Sequence, residues 1–391
     1  MAQHKKKKEK FNIKNFFRLA ESGTSIDMTI LIITLTLVVF GLVMLYSASY
    51  VVGIYRMGDS LHYIKNQLLF ALVGLGAMFF MAKVDYRVLQ HYSLTLMLCV
   101  YFLLVIVLFM KPIKGVTRWI IIPGVLSFQP SEIAKFAVIL MFASLIQKNA
   151  DKMKTLTYGV VPFGLVLASV SGLMLLEPHL SGTVIICAIG AIMMFVGGTD
   201  VKWFALGGTL LVVAIVGAVI LFPDLVPYAS ERIIAWRHPE LDLQGKGYQS
   251  YQSLLAIGSG GLFGLGLGNS RQKHLHLPEP QNDFIFSVIC EELGFIGGMI
   301  VISLFFALLV RGIYIATKAK DKFGAMLVVG IIGQITLQAF LNIAVATNTI
   351  PNTGISLPFF SEGGTSLMML LAEIGIVLSV SRYSNTGKGD E

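Results

Sequence analysis

The sequence predicts an all-α polytopic membrane protein with about ten transmembrane helices and a large extracytoplasmic loop before the eighth. Three observations carry that expectation. Of the 391 residues, 55% are hydrophobic and only 13% are charged, the balance of a chain that meets lipid more than water. Apolar runs with few or no charges recur at 28–46, 67–82, 92–110, 133–147, 155–176, 180–199, 203–223, 284–310, 323–346 and 366–381, most of them long enough to cross a hydrocarbon core of about 30 Å. Lysine and arginine collect in the connections between alternate runs, as a cytoplasmic face requires.

Taken in order, residues 1–24 form a basic cytoplasmic tail with Lys5, Lys6, Lys7 and Lys8 in one run. Phe11, Phe16, Phe17 and Leu19, interspersed with Lys14 and Arg18, could form a short interfacial helix; a disordered basic tail is the equal alternative. The first apolar run follows without a small-residue cleavage site and reads as a retained anchor. Residues 25–383 read as a single ten-helix membrane domain. The runs at 67–82 and 133–147 are short, and the second holds Lys135 near its start, which calls for tilt or a locally thinned bilayer. The large extracytoplasmic loop spans 223–282, and residues 384–391 are a short cytoplasmic tail. With the N-terminus inside, nineteen of the 30 Lys and Arg lie on the cytoplasmic side, ten lie outside and Lys135 lies in a span. An even number of spans puts both termini in the cytoplasm.

The net charge of +8 does not imply nucleic acid, because the charges sit in short juxtamembrane loops where they would meet anionic headgroups. Cys99, Cys187 and Cys290 fall in apolar runs with no zinc or redox spacing and read as small core residues. The glycine-dense stretch Gly258–Gly268 follows no strand and meets neither phosphate-loop nor dinucleotide spacing. It reads as a re-entrant or interfacial segment in which glycine permits tight turns.

Four polar segments collect on the external face. The first is the stretch from Arg271, Lys273, His274 and His276 to Glu279 and Asp283, where cations and carboxylates alternate at the re-entry into an apolar run. A carboxylate at that depth is costly and marks function; a solvated loop of mutually paired charges is the alternative for Arg271 and the histidines. The second runs from Lys111 through Arg118-Trp119 to Gln129-Pro-Ser-Glu-Ile-Ala-Lys135. Pro130 suits a first helical turn, and Glu132 is favoured there by the helix dipole. Glu132 and Lys135, three apart, share one helix face, either as a structural ion pair or toward a cavity. The third is Glu177-Pro-His179 and the fourth is Asn348–Thr365, both breaking the apolar chain with proline and glycine. Together the four could enclose one polar pocket open to the outer face.

Several of these stretches resemble the SEDS family of bacterial membrane proteins (shape, elongation, division and sporulation). The marks are Arg118-Trp119-Ile, Gln129-Pro-Ser-Glu-Ile-Ala-Lys135, Ala256-Ile-Gly-Ser-Gly-Gly-Leu, Leu277-Pro-Glu followed by Asp283-Phe-Ile-Phe, Glu291-Glu-Leu-Gly, and Leu357-Pro-Phe-Phe-Ser-Glu-Gly-Gly-Thr-Ser366. The resemblance covers about residues 25 to 383, and Gly268-Asn-Ser-Arg-Gln-Lys273 is similar to the FtsW and sporulation branch more than to RodA. It implies a peptidoglycan glycosyltransferase that polymerises lipid II at the outer face of the plasma membrane, alongside a class B penicillin-binding transpeptidase and other division or elongation membrane proteins. By position, Asp283 matches the family's essential aspartate, and Glu132, Lys135, Arg118, Trp119, Glu279 and Ser361 fall in its motifs. His179 and Glu362 depart from the pattern, where the family often has Asp and Tyr.

The mechanism this implies is inverting transfer. Asp283 would take the proton of the attacking sugar hydroxyl as general base, while Arg118, Lys135 and Lys273 stabilise the departing diphosphate. Glu279, Asp283 or Glu132 could hold magnesium or manganese as oxygen ligands, although the sequence closes no ligand set. A flippase for the same lipid is the main rival, since broken helices with intramembrane charges also describe carriers, but no internal repeat is evident. A noncatalytic division-complex scaffold is the third reading.

Overall fold

A computed structural model describes residues 25–110, 117–122, 126–221, 234–241, 245 and 247–384. The basic tail, with its expected interfacial helix, and residues 385–391 lie outside the described residues. Eleven helices are used below: α1 (Met28–Met57), α2 (His62–Lys83), α3 (Arg87–Leu108), α4 (Pro130–Lys148), α5 (Leu156–Leu176), α6 (Leu180–Gly197), α7 (Val201–Leu221), α8 (Tyr248–Ser259), α9 (Ile285–Lys318), α10 (Lys322–Ala346) and α11 (Gly364–Tyr383). Among the described residues nine of them, α1–α6 and α9–α11, are long and apolar enough to cross a membrane. The 21-residue α7 is helical where the seventh span was expected. A two-stranded antiparallel hairpin, Ile120–Ile122 with Leu126–Phe128, has Ile121 opposite Ser127 and was not expected. The strands are three residues each, too short for alternation to register.

Polar patterning decides which helices are central. The windows of α4, α10 and α11 are the most buried, and these three carry Glu132, Lys135, Gln334, Gln338, Asn342 and Glu373. Facing such groups to lipid would leave them unsatisfied, so they turn into the bundle. α2, α3 and α5 carry mostly apolar residues outward and are the least buried.

One end of the bundle is tied by short-range ion pairs and caps. Asp27 caps α1 through Ile30 N at 2.9 Å and pairs with Arg311 at 2.7 Å. Asp321 caps α10 through Gly324 N at 2.8 Å and pairs with Arg87 at 2.9 Å, while Arg382 donates to Ala82 O at 3.0 Å. The cationic connections between α2 and α3 and between α9 and α10 therefore meet at this end.

Near the opposite end, α9 is broken. Gly294 has φ 70° and ψ −167°, a region open essentially to glycine alone. A break at membrane depth frees backbone groups that lipid cannot satisfy, and the glycine-dense segment after α8 takes them. Leu265 N and Gly266 N donate to Glu291 O and Glu292 O at 3.0 and 2.9 Å, and Phe295 N and Ile296 N donate to Gly261 O and Leu262 O at 2.8 and 3.2 Å. The approach is close enough that a Cβ on Gly294 would overlap the Leu262 carbonyl, and one on Gly264 the Glu292 carbonyl. The stretch expected to be re-entrant or interfacial is thus the second half of this break. Gly294→Ala is expected to lower unfolding stability by roughly 1–3 kcal/mol; a melting curve of the purified variant in detergent matching the parent would refute this account of the break.

Candidate active site

At the end opposite the cationic connections, the close of α1, the start of α2, the hairpin, the 279–282 turn and the start of α11 surround a cavity of about 570 Å³. That is within the roughly 300–1,000 Å³ of small-ligand sites. Its lining is amide, aromatic and carboxylate: Tyr63, Asn66, Gln67, Trp119, Glu279, Gln281, Asn282 and Glu362, with Arg56 as its one arginine or lysine among the described residues. A second cavity of about 60 Å³ is lined by Gln129, Glu132, Lys135, His179, Ser181, Gln338 and Gly354. A third, of about 10 Å³, shares Glu362 and Gly363 with the first and Gln338 and Ser356 with the second. The polar lining is therefore continuous from the wide cavity to the Glu132–Lys135 pair.

That pair is held from three helices. Pro130 opens α4 and places Glu132 and Lys135 one turn apart, 2.8 Å between Oε1 and Nζ. Ser366 on α11 donates to Glu132 Oε2 at 2.8 Å, and Lys135 Nζ, almost wholly buried, donates to Gln338 on α10 at 3.3 Å. A charge pair so deep persists only with its remaining hydrogen bonds met. Deeper in the bundle, Glu373 of α11 accepts from Gln334 at 3.2 Å. It is a buried acid that sequence reasoning passed over, although it stands alone as a carboxylate in the run 366–381.

Asp283 lies at the end of the turn that leads into α9. Its Oδ2 rests against Gly354, where an added Cβ would be 3.5 Å away, and Gly354 lines the small cavity with Glu132 and Lys135. Asp283 thus lies beside a residue that lines the cavity of Glu132 and Lys135. Glu279 braces the same turn: Oε2 accepts from Gln281 at 3.2 Å and from Asn282 at 3.0 Å, and Oε1 pairs with Arg56 at 3.0 Å. Arg56, in the last turn of α1, carried no motif signal.

Two residues expected to contact substrate are engaged within the protein. Lys273 is fully buried, and its ammonium is spent on Ser47 at 3.0 Å, Gly268 O at 2.7 Å and Glu292 at 2.7 Å. It clamps the segment before the turn and lines none of the three cavities described above. Beside it Glu291 accepts from Ser270 Oγ and from Arg271 N, the latter at 2.8 Å, so both adjacent buried acids cap the same loop. Ser361 is buried, with its hydroxyl committed to the main chain: it accepts from Leu357 N at 2.8 Å and donates to Asn282 O at 2.6 Å. The carboxylates of Asp283, Glu279 and Glu132 are not assembled as a metal site either. Glu132 and Glu279 are paired with Lys135 and Arg56, and no group of three His, Cys, Asp or Glu among the described residues could hold an ion.

Arg118 props up the third polar segment, donating to Glu177 O at 3.4 Å and to Pro178 O. Gln129 Nε2 donates to His179 Nε2 at 3.0 Å, so that nitrogen is unprotonated and the imidazole is neutral. Burial pushes the His179 value down to about 4, with Arg118 adding to the effect. Burial pushes Glu177 up to about 7 against the opposing pull of Arg118, and neither Glu177 carboxylate oxygen has a hydrogen-bond partner among the described residues. Since the folded value lies above the ordinary one of 4.5, the native state keeps a proton that the unfolded chain releases. Stability from this site is present below the ordinary value and is lost as pH rises through the folded one. Glu177→Gln, permanently neutral, is expected to melt above the parent at about pH 8 and to converge with it at about pH 4; parallel melting-temperature profiles would contradict this.

Comparison with known proteins identifies the family and the fold. The model of the FtsW, RodA and SpoVE family, described as cell cycle proteins, matches residues 27–386. Stage V sporulation protein E of Bacillus subtilis is 43% identical over 92% of this chain and 98% of its own length. The probable peptidoglycan glycosyltransferase FtsW of Trichlorobacter lovleyi is 39% identical over 93% and 94%. Among solved structures, a chain from a peptidoglycan synthase complex that coordinates polymerization and crosslinking superposes with a TM-score of 0.76 at 27% identity, covering 91% of this chain and 98% of that one. The rod shape determining protein RodA of Thermus thermophilus gives a TM-score of 0.67 at 26% identity, covering 92% and 98%. On sequence and fold together, this multi-pass membrane chain belongs to the FtsW/RodA/SpoVE cell cycle protein family, the SEDS family.

Proposed function

We propose that the protein is a peptidoglycan glycosyltransferase that polymerises lipid II at the outer face of the bacterial plasma membrane, with both termini in the cytoplasm. The observation that carries this reading is the Asp283 carboxylate beside Gly354, a residue that lines the cavity holding Glu132 and Lys135. The site lies at the end away from the Arg87, Arg311 and Arg382 cluster; with cationic loops inside, that end is external. The printed names of the FtsW relatives support the activity, and the synthase complex among the structural matches supports a class B penicillin-binding transpeptidase as partner. Other membrane proteins of division or elongation fit as further partners.

In one inverting displacement, the acceptor hydroxyl oxygen bonds to the donor's anomeric carbon, the bond to the diphosphate oxygen breaks, and the hydroxyl proton passes to an Asp283 oxygen. The diphosphate leaves with its electron pair, and the cations Lys135 and Arg118 are the groups to stabilise its charge. Trp119 and the amides of the wide cavity offer a face and donors for sugar rings. Asp283→Asn keeps the shape and removes the base, so polymerisation of lipid II by the reconstituted enzyme with its transpeptidase is expected to fall by about 100-fold or more. A variant that folds normally and still polymerises at the parental rate would exclude Asp283 as the base.

A further inference from the structure

The Asp283 turn is fastened to the chain that covers it by two side chains. Asn342, fully buried on α10, donates from Nδ2 to Asp283 O and to Ile355 O, each at 2.7 Å. Both neighbours are carbonyl oxygens, so only the amide's NH2 end can face them, and one nitrogen with two hydrogens serves both segments. The α9 helix does not use the Asp283 carbonyl: Ser287 N, its partner in a regular helix, donates to Phe284 O instead at 3.0 Å. Ser361 repeats the device one residue earlier, joining Asn282 O to Leu357 N. Residues 282 and 283 are thereby clipped to residues 357 and 355, and Gly354, at φ 68°, is left beside the carboxylate.

We propose that Asn342 is the positioning residue of Asp283, with Ser361 as its auxiliary: the two clips hold the Asp283 turn so that its carboxylate stays beside Gly354, a residue of the cavity that holds Glu132 and Lys135. This rests on Asp283 being the base. A carboxylate in place of the amide has the same shape but no pair of hydrogens, and would set an oxygen against two carbonyl oxygens. A carbonyl left without its donor at this depth would seek another partner, and the turn would move with it.

Steady-state polymerisation of lipid II by the full-length enzyme with its transpeptidase tests this, with rates counted per folded molecule. Asn342→Asp is expected to lower kcat by about 10- to 100-fold while KM stays within about twofold. Ser361→Ala is expected to lower kcat less, and Ser361→Thr, which keeps the hydroxyl, to restore it. Asn342→Asp with parental kcat, or with a loss confined to the yield of folded protein, would overturn the proposal. Should that variant not fold, the Ser361 pair decides: equal kcat for the Ala and Thr variants overturns it, and a drop in Ala alone supports it. Asp283→Asn separates the two readings, because an active variant overturns the base and the clips with it, whereas an inactive one beside a fully active Asn342→Asp overturns only the clips.

Discussion

A helix broken inside a membrane has to hand its freed amides and carbonyls to protein, and the arrangement of this molecule follows from how α9 does so at Gly294. The partner is the chain after α8, whose glycines let two backbones meet where any side chain would intrude. Once that contact forms, the carboxylates of Glu291 and Glu292 point into the following loop. There they collect the amides of Gly268, Ser270 and Arg271 together with the Lys273 ammonium. Two acids and one ammonium buried together are stable only because every acceptor is supplied. The consequence is a loop held rigidly from its root, and the turn bearing Asp283 is its far end.

Around that turn, the same constraint recurs at smaller scale. Polar groups placed at membrane depth must find one another, so α4, α10 and α11 approach through Glu132, Lys135, Ser366 and Gln338, and these contacts hold the central helices together. Lys135 illustrates the constraint. Its charge is balanced by Glu132, and that pairing keeps a cation at this depth without the full cost of isolated burial.

Comparison with relatives and the local geometry address different questions. The family match covers most of the chain and establishes the fold and lineage. The contacts each side chain makes are seen only in this molecule: Lys273, expected from its charge, and Ser361, expected from its motif, to meet substrate, hydrogen-bond instead to Ser47 and to the Asn282 carbonyl.

The membrane class, the positions of the apolar runs and the stretches where polar residues interrupt them were legible in the chain itself, because lipid solvation acts on local composition and shows as runs of about twenty residues. Glu132 and Lys135 were also readable as a pair, since three residues on a helix is a local distance. Other features depended on contacts between distant segments. Asn342 meets carbonyls 59 and 13 residues away, and Lys273 reaches Ser47 across 226 residues. Whether a polar side chain in such a bundle faces a cavity or satisfies a neighbour's backbone is settled by which helices pack together, and that choice minimises unpaired polar groups over the whole fold, a sum that no single stretch of sequence contains.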